Sequence, residues 1–190
     1  MPNCGRRRSG TANCLEAKAS PRLFRIEPFS DGHKPLRAAF SCGAESLDRY
    51  LKQQASQDAR SRAAVPYILL SPEGFIAGFY TLSSTNFRVD ELPSEVVKRL
   101  KLPRYPFIGA TLIGRLARDL SFRGQGIGEI LLLDALKVSL RMSRQIASAA
   151  VIVDVKDENA HRFYTDYGFL SFPDTRDRRF LPMQTIEQLF

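Results

Sequence analysis

The sequence is poor in the residues that mark several common classes of protein. Its 190 residues include only three cysteines and two histidines. A sparse, odd set of cysteines is no disulfide framework, which favours a reducing compartment such as the cytoplasm. His33 and His161 have no metal-ligand spacing around them, so no metal site is expected. Cys42 has no base near it in the sequence, which favours a bystander thiol. No apolar run approaches the roughly 18 residues of a membrane span, which predicts a soluble protein.

The balance of residue types is that of one globular domain. Hydrophobic residues make up 44% and charged residues 25% of the chain, and a chain of this length builds one core. The net charge is +8, but half of this excess lies in residues 1–22. That segment lacks the apolar stretch of a secretory signal, so we interpret it as a disordered basic tail, with the domain at 23–190. The charge is therefore only a modest argument for a nucleic-acid partner.

Hydrophobic periodicity predicts strands that alternate with helices. The longest predicted helix, 126–142, has a narrow polar stripe and should be buried on most of its surface. Gly109 and Gly114 stand inside a predicted strand and indicate a bulge or a close backbone approach. Together the elements predict an α/β sandwich on a mixed sheet. The predicted strands are 23–29, 65–70, 75–83, 107–118, 146–155 and two short ones near Phe169 and Phe180, and the other predicted helices are 46–62, 93–100 and 157–167.

A glycine-rich turn stands between the strand 107–118 and the longest helix. Glycines let several backbone N–H groups converge, and the helix N-terminus adds partial positive charge, so the turn can hold a phosphate group. Glu129 stands where a dinucleotide fingerprint needs glycine, which excludes that motif. From spacing alone, an anion-binding turn and a plain glycine-rich helix start are equal alternatives. The residues of the turn are Arg123, Gly124, Gln125, Gly126, Ile127 and Gly128.

Two motifs resemble the signatures of the GNAT superfamily of N-acetyltransferases. Arg123, Gly126 and Gly128 match the acetyl-CoA pattern of that family, Arg/Gln-x-x-Gly-x-Gly/Ala. The run from Asn159 to Tyr164, followed by Tyr167-Gly168-Phe169, resembles its second signature. The resemblance implies a single GNAT-like α/β domain that uses acetyl-CoA. Its sheet would be mixed and mostly antiparallel, splayed at the acetyl-CoA site, with helices on both faces.

The resemblance also implies roles for the cofactor-binding residues. The backbone of Leu116, Ala117 and Arg118 would pair with the pantetheine arm of acetyl-CoA like an extra strand. The amides of residues 123–128 would hold the pyrophosphate, and Asn159 would support the cofactor from the next helix. Arg118 departs from the family pattern, in which a small apolar residue is usual at that place.

Tyr164 is the candidate catalytic residue. It shares one helical face with Ala160, Phe163 and Tyr167, so spacing alone favours an aromatic core stripe. Family members with this motif use that tyrosine as the general acid. A phenol with a pKa of about 10 can protonate a leaving thiolate when it lies within hydrogen-bond reach. Tyr167 is the alternative donor.

The general base is less evident than the general acid. Many GNAT enzymes keep a carboxylate on the strand that corresponds to 107–118, and this strand contains neither Asp nor Glu. An α-amine, with a reference pKa of about 7.7, needs less help with deprotonation than a lysine amine does. The missing carboxylate therefore favours an α-amine as acceptor, while a water chain, Glu45 or Asp48 stays an option for the base.

Three further segments resemble the toxin branch of the superfamily, at residues 40–51, 78–82 and 113–117. These toxins acetylate the α-amine of aminoacyl-tRNA, which blocks translation, and ribbon-helix-helix antitoxins neutralise them. The resemblance implies aminoacyl-tRNA as the substrate and such an antitoxin as a partner. A GNAT enzyme for a small amine or a protein N-terminus is the alternative, and the oligomeric state is left open, with a homodimer as one option.

Two groups of basic residues could contact tRNA phosphates. Solvated surface charge is an equally good interpretation of each individual residue. The first group is Arg49, Lys52, Arg60 and Arg62, and the second is Lys98, Arg99, Lys101 and Arg104.

Overall fold

Seven strands form one mixed sheet in the computed structural model, which describes residues 23–103 and 105–190. They are β1 (Arg25–Pro28), β2 (Val65–Leu70), β3 (Ile76–Arg88), β4 (Phe107–Arg118), β5 (Ala150–Asp154), β6 (Leu170–Phe172) and β7 (Thr175–Pro182). Their order across the sheet is β1-β2-β3-β4-β5-β7-β6. All neighbours are antiparallel except β4 and β5, which are parallel. The predicted basic tail at 1–22 lies outside the described residues.

Helices lie on both sides of the sheet. They are α1 (Glu45–Arg49), α2 (Ala55–Ser61), α3 (Ser94–Arg99), α4 (Ile127–Ser143), α5 (Glu158–Asp166) and α6 (Met183–Glu187). A π-helical segment (Tyr50–Gln54) joins α1 to α2. No helix within residues 23–103 and 105–190 is long and apolar enough to cross a membrane.

The pleat of the central strands separates the two faces of the sheet. On β5, Val151 and Val153 pack with the residues of α4, while Ile152 packs into a cluster on the other side. We call the side covered by α4, α5 and α6 the α4 face. On the opposite face, Tyr50 and Leu51 of the π segment cover one end of the sheet, and α3 covers the other end. Helices on both faces of a mostly antiparallel sheet confirm the predicted fold class.

Two glycines of β4 stand where the strand departs from a regular ladder. The pairing of β3 with β4 slips by one residue at Gly114, which is the extra residue of a β-bulge. A Cβ atom on Gly109 would lie 3.2 Å from the carbonyl oxygen of Ala147. The predictions of a bulge and of a close backbone approach are thus both confirmed.

The predicted bounds of β2 and β4 agree with the structure, but those of other elements differ. β3 continues to Arg88 rather than ending at residue 83, because its polar second half pairs with the first half of β4. β5 begins at Ala150 rather than at residue 146. The structure adds α6, which is not predicted. α4 buries less of its surface than predicted, since Ile130 and Met142 are exposed.

Candidate active site

β4 and β5 separate at the centre of the sheet. They pair only where Thr111 to Ile113 face Val151 to Val153. Beyond the bulge, β4 continues to Arg118 and stays paired with β3, while β5 ends at Asp154. One edge of Leu116, Ala117 and Arg118 therefore has no strand partner within the described part of the chain. The predicted splay is confirmed, and its free edge can pair with an extended ligand.

The loop after β4 is organised by a buried carboxylate. Asp119 accepts hydrogen bonds from the backbone amides of Ser41 at 2.8 Å and Ser121 at 2.9 Å, and also from the hydroxyl of Ser121. These bonds fix the exit of β4 against the loop that precedes α1. Asp119 is not among the residues predicted from the sequence, although an aspartate between a strand and a turn is a typical signal of an Asx turn.

The glycine turn leads directly into α4. Gly124 and Gly126 have φ angles of +79° and +71°, a region that side chains rarely adopt. A Cβ atom at either position would meet no atom within 4 Å. The backbone thus curls around open space at the start of a helix of 17 residues. This space and the positive end of the helix suit a phosphate group.

The turn offers a defined set of amides. The N–H groups of Arg123 and Gln125 already donate to the carbonyl oxygens of Leu120 and Phe122, at 3.2 Å and 3.4 Å. Four other amides of the turn, on Gly124, Gly126, Ile127 and Gly128, donate to no acceptor within the described residues. These four are the donors that an anion can use. The side chains of Arg123 and Gln125 are exposed.

α5, the helix that carries Tyr164, packs beside this turn. A Cβ atom on Gly128 would lie 3.7 Å from the ring of Phe163, so α5 packs against the first turn of α4. Tyr164 itself is 8% exposed and makes edge contacts with the rings of Phe163 and Phe169, at centroid distances of 5.2 Å and 5.1 Å. The interpretation as a core residue therefore holds for its ring, and a role for its hydroxyl is compatible with it.

Burial raises the pKa of the Tyr164 phenol well above its usual value, and no charged group of the described residues contributes to that shift. The phenol is protonated at neutral pH, so its hydroxyl carries a proton that it can donate. Tyr167 differs, because both burial and the nearby carboxylate of Glu129 raise its pKa. Glu129 belongs to α4, and the choice between Tyr164 and Tyr167 as proton donor stays a prediction.

Asn159 lies at the start of α5. The helix begins after Asp157, whose carboxylate accepts a hydrogen bond from the amide of Ala160 at 2.9 Å. Asn159 is exposed in the first turn, just after the end of β5. It thus follows the strand that separates from β4, and its expected role beside the cofactor stays a prediction.

The two carboxylates considered for the general base differ in their surroundings. Asp48 accepts hydrogen bonds from the amide of Cys42 at 2.8 Å and the hydroxyl of Ser41 at 3.1 Å, so it organises the loop before α1. The side chain of Glu45 is 91% exposed and lies 3.9 Å from Arg49. A water chain, Glu45 and Asp48 all stay options for proton removal.

The predicted basic residues are exposed or half-buried on the helices of the opposite face. Arg49, Arg60 and Arg62 are exposed, and Lys52 is half-buried. In the second group, Lys98, Arg99 and Lys101 are exposed at the end of α3. Arg104 lies outside the described residues.

Comparison with known proteins gives this site its chemical class. The model of the acetyltransferase (GNAT) family matches residues 37–169. This chain belongs to the GNAT acetyltransferase family. It is also 33% identical, over 172 residues, to a probable toxin TacT of Sinorhizobium fredii, covering 86% of this chain and 93% of that protein. The family assignment made from the two sequence motifs is confirmed.

Solved structures of toxins resemble the chain over most of its length. A tyrosine-to-phenylalanine mutant of KacT has a TM-score of 0.81 and 30% sequence identity, with 88% of this chain and 99% of that chain covered. AtaT complexed with acetyl-methionyl-tRNAfMet has a TM-score of 0.80 and 32% identity, with the same coverage of 88% and 99%. The resemblance to the toxin branch is confirmed as well.

Proposed function

We propose that the domain at 23–190 transfers the acetyl group of acetyl-CoA to the α-amine of aminoacyl-tRNA and thereby arrests growth as a toxin. The observation that carries this proposal is the similarity to AtaT in complex with acetyl-methionyl-tRNAfMet, which extends over 88% of this chain. The splayed strand and the glycine turn supply the site for the acetyl donor. Because β4 contains no Asp or Glu that could serve as a general base, it favours an acceptor amine that needs no strong base for deprotonation.

The free edge of β4 and the free amides of the turn fit the two parts of acetyl-CoA. The backbone of Leu116, Ala117 and Arg118 would pair with the pantetheine amides. The amides of Gly124, Gly126, Ile127 and Gly128 would hold the pyrophosphate, with the exposed side chain of Arg123 adding positive charge. Asn159 would contact the cofactor from α5. In this arrangement acetyl-CoA supplies a thioester whose carbon is open to attack by an amine.

Tyr164 would act as the general acid. The amine nitrogen of the acceptor forms a bond to the acetyl carbon, and the bond between that carbon and sulfur breaks. The sulfur leaves as a thiolate with a pKa of about 8.5, to which the Tyr164 hydroxyl can donate its proton. The α-amine of an aminoacyl ester is largely neutral at physiological pH, so its surplus proton can pass to water.

The relatives also support a set of partners. AtaT has been solved with the C-terminus of the antitoxin AtaR, and KacT forms a complex with its partner on DNA. We therefore infer that a ribbon-helix-helix antitoxin neutralises this chain. Charged tRNA is a cytoplasmic substrate, which puts the site of action in the cytoplasm.

An acceptor comparison tests the proposal. Purified protein receives acetyl-CoA together with charged tRNA, with a free amino-acid ester, with a polyamine or with a lysine-containing protein. Charged tRNA should be the best acceptor, because its phosphates supply binding energy that positions the amine. If the polyamine or the protein is acetylated readily and charged tRNA is not, the alternative of a small-amine or protein acetyltransferase stands instead.

A further inference from the structure

A polar strip crosses the opposite face of the sheet between its two helix-covered ends. Phe79 and Phe87 of β3 pack into the clusters at those two ends. Side chains alternate between the two faces of a strand, so every second residue between Phe79 and Phe87 lies on this same face. Thr81 of β3 is the register partner of Arg115 on β4. The strip consists of Thr81, Ser83, Thr85, Arg115 and, from β7, Arg178.

Arg115 differs from other arginines of this face in its bonding. Arg37 donates hydrogen bonds to the carbonyl oxygen of Leu51 at 3.3 Å and to the hydroxyl of Ser56 at 2.9 Å. Arg178 donates to Thr85 at 3.4 Å and lies 3.5 Å from Asp154. Half-buried Arg115 has neither a hydrogen bond nor an ion pair with any described residue. Its five N–H donors are thus available to a ligand.

A tyrosine platform holds Arg115 in place. Its guanidinium carbon lies 3.7 Å from the ring centroid of Tyr50. Tyr50 is 1% exposed and stacks on Phe79 at a centroid distance of 6.0 Å. The platform belongs to the π segment between α1 and α2, and π turns are frequent at functional sites. The contact leaves the edge of the guanidinium group free while it fixes the group on the sheet.

Arg115 lies on the side of the sheet from which the acceptor substrate would approach, and not on the side of the acetyl-CoA site. It stands one residue before Leu116, where the free edge of the splay begins. The glycine turn and Tyr164 belong to the α4 face, so a second substrate can reach the same thioester from the opposite face. Arg115 points to that side, because it contacts Tyr50.

We propose that Arg115 binds a phosphate at the 3′ end of the charged tRNA and so positions the aminoacyl group at the splay. This inference rests on the proposed function. A planar guanidinium with unused donors matches two phosphate oxygens at once, and a charged tRNA presents phosphates close to its aminoacyl ester. Arg115 is a positioning residue in this role, since the amine and the thioester react elsewhere.

Salt-dependent binding distinguishes a phosphate contact from a packing role. Dissociation constants of wild type and R115Q for charged tRNA are measured at several salt concentrations, without acetyl-CoA. Loss of one phosphate contact should weaken binding about tenfold at low salt and reduce the slope against log salt by about one. R144Q is the matched control, because Arg144, directly after α4, has a side chain that is 71% exposed and whose only ion pair within the described residues is with Glu187. It should keep the wild-type slope.

The competing outcomes are separable. An unchanged slope in R115Q, with or without weaker binding, would overturn the inference and leave Arg115 as packing for Tyr50. R115M keeps the apolar stem on the tyrosine and replaces R115Q if that variant does not fold. Failure of the proposed function is a different result, since the wild type would then fail to acetylate charged tRNA at all.

Discussion

The two faces of the sheet differ in the part of the chain that carries their chemistry. On the α4 face the proposed binding groups are backbone amides and a free strand edge, shaped by Gly124 and Gly126. On the opposite face the proposed binding groups are side chains, with Arg115 held by a tyrosine from a distant segment. A backbone site leaves a local glycine pattern in the sequence, whereas a site of side chains depends on tertiary contacts. The residues of the donor site can therefore be predicted before folding, whereas the sequence indicates the class of acceptor without indicating the role proposed for Arg115.

The largest expected effect tests the proton donor of the α4 face. Tyr164→Phe keeps the edge contacts of the ring with Phe163 and Phe169, so the fold and the affinity for acetyl-CoA should persist. Turnover should fall by roughly 10²–10⁴-fold, the scale for a lost general acid. Single-turnover rates with charged tRNA, together with calorimetry of acetyl-CoA binding, measure both quantities.

Tyr167→Phe is the matched control for that variant. It removes a hydroxyl three residues further along the chain, directly after α5 and near Glu129, and should leave turnover close to wild type. Normal turnover in Tyr164→Phe combined with a large loss in Tyr167→Phe would move the general-acid role to Tyr167.

The second largest effect is expected from a change in the glycine turn, and it tests the proposed binding of acetyl-CoA by the backbone amides. Gly126→Asp puts a carboxylate where the cofactor phosphates are expected. Because the carboxylate and the phosphates carry the same sign of charge, their repulsion should weaken acetyl-CoA binding about a hundredfold. Gly74→Asp is the control, because Gly74 also has a positive φ, of +89°, with nothing within 4 Å, in the turn between β2 and β3. Calorimetry should show lost affinity only in Gly126→Asp, and equal affinities would refute the site.

A smaller effect addresses the charge on the opposite face. Replacing Arg60 and Arg62 together by Glu should raise the KM for charged tRNA about thirtyfold at low salt, because phosphate contacts are lost. Binding of acetyl-CoA should not change, since both residues lie away from α4. A double Glu variant of Arg25 and Arg144, which are exposed elsewhere, should behave as wild type. A KM equal to wild type in the first variant would leave these arginines as solvated surface charge.

The smallest effect concerns the loop before α1. Burial and the Asp48 carboxylate raise the pKa of the Cys42 thiol to about 11. The thiol stays protonated below that pH, so alkylation at pH 8 should be about tenfold slower than for a reference thiol and should rise with pH. Peptide mapping after timed alkylation measures the rate. Fast alkylation at pH 8 would mean that this loop opens away from Asp48.

The sequence predicts most of the fold and the donor site, for physical reasons that particular residues show. β2 and β4 have strong apolar patterns, and their bounds are predicted correctly. The second half of β3 is polar, from Ser83 to Arg88, and only its pairing with β4 makes it a strand. The glycine turn and the Tyr164 motif are contiguous in sequence, so their resemblance to a family is visible without coordinates.

Features that depend on distant residues escape sequence reasoning. Asp119 bonds to the amide of Ser41 across 78 positions of the chain. The stacking of Arg115 on Tyr50 requires both the π segment and the bulge at Gly114. Such contacts join segments that are far apart in the chain, so no local pattern predicts them.

The identity of the acceptor tests the account most directly. Purified protein is incubated with labelled acetyl-CoA and bulk charged tRNA, the ester bond is cleaved with mild base, and the released compounds are identified by mass spectrometry. The account predicts amino acids labelled with acetyl on their α-nitrogen, and no label on tRNA that carries no amino acid. Label on a polyamine or on protein lysines, with charged tRNA unlabelled at low salt, would contradict it.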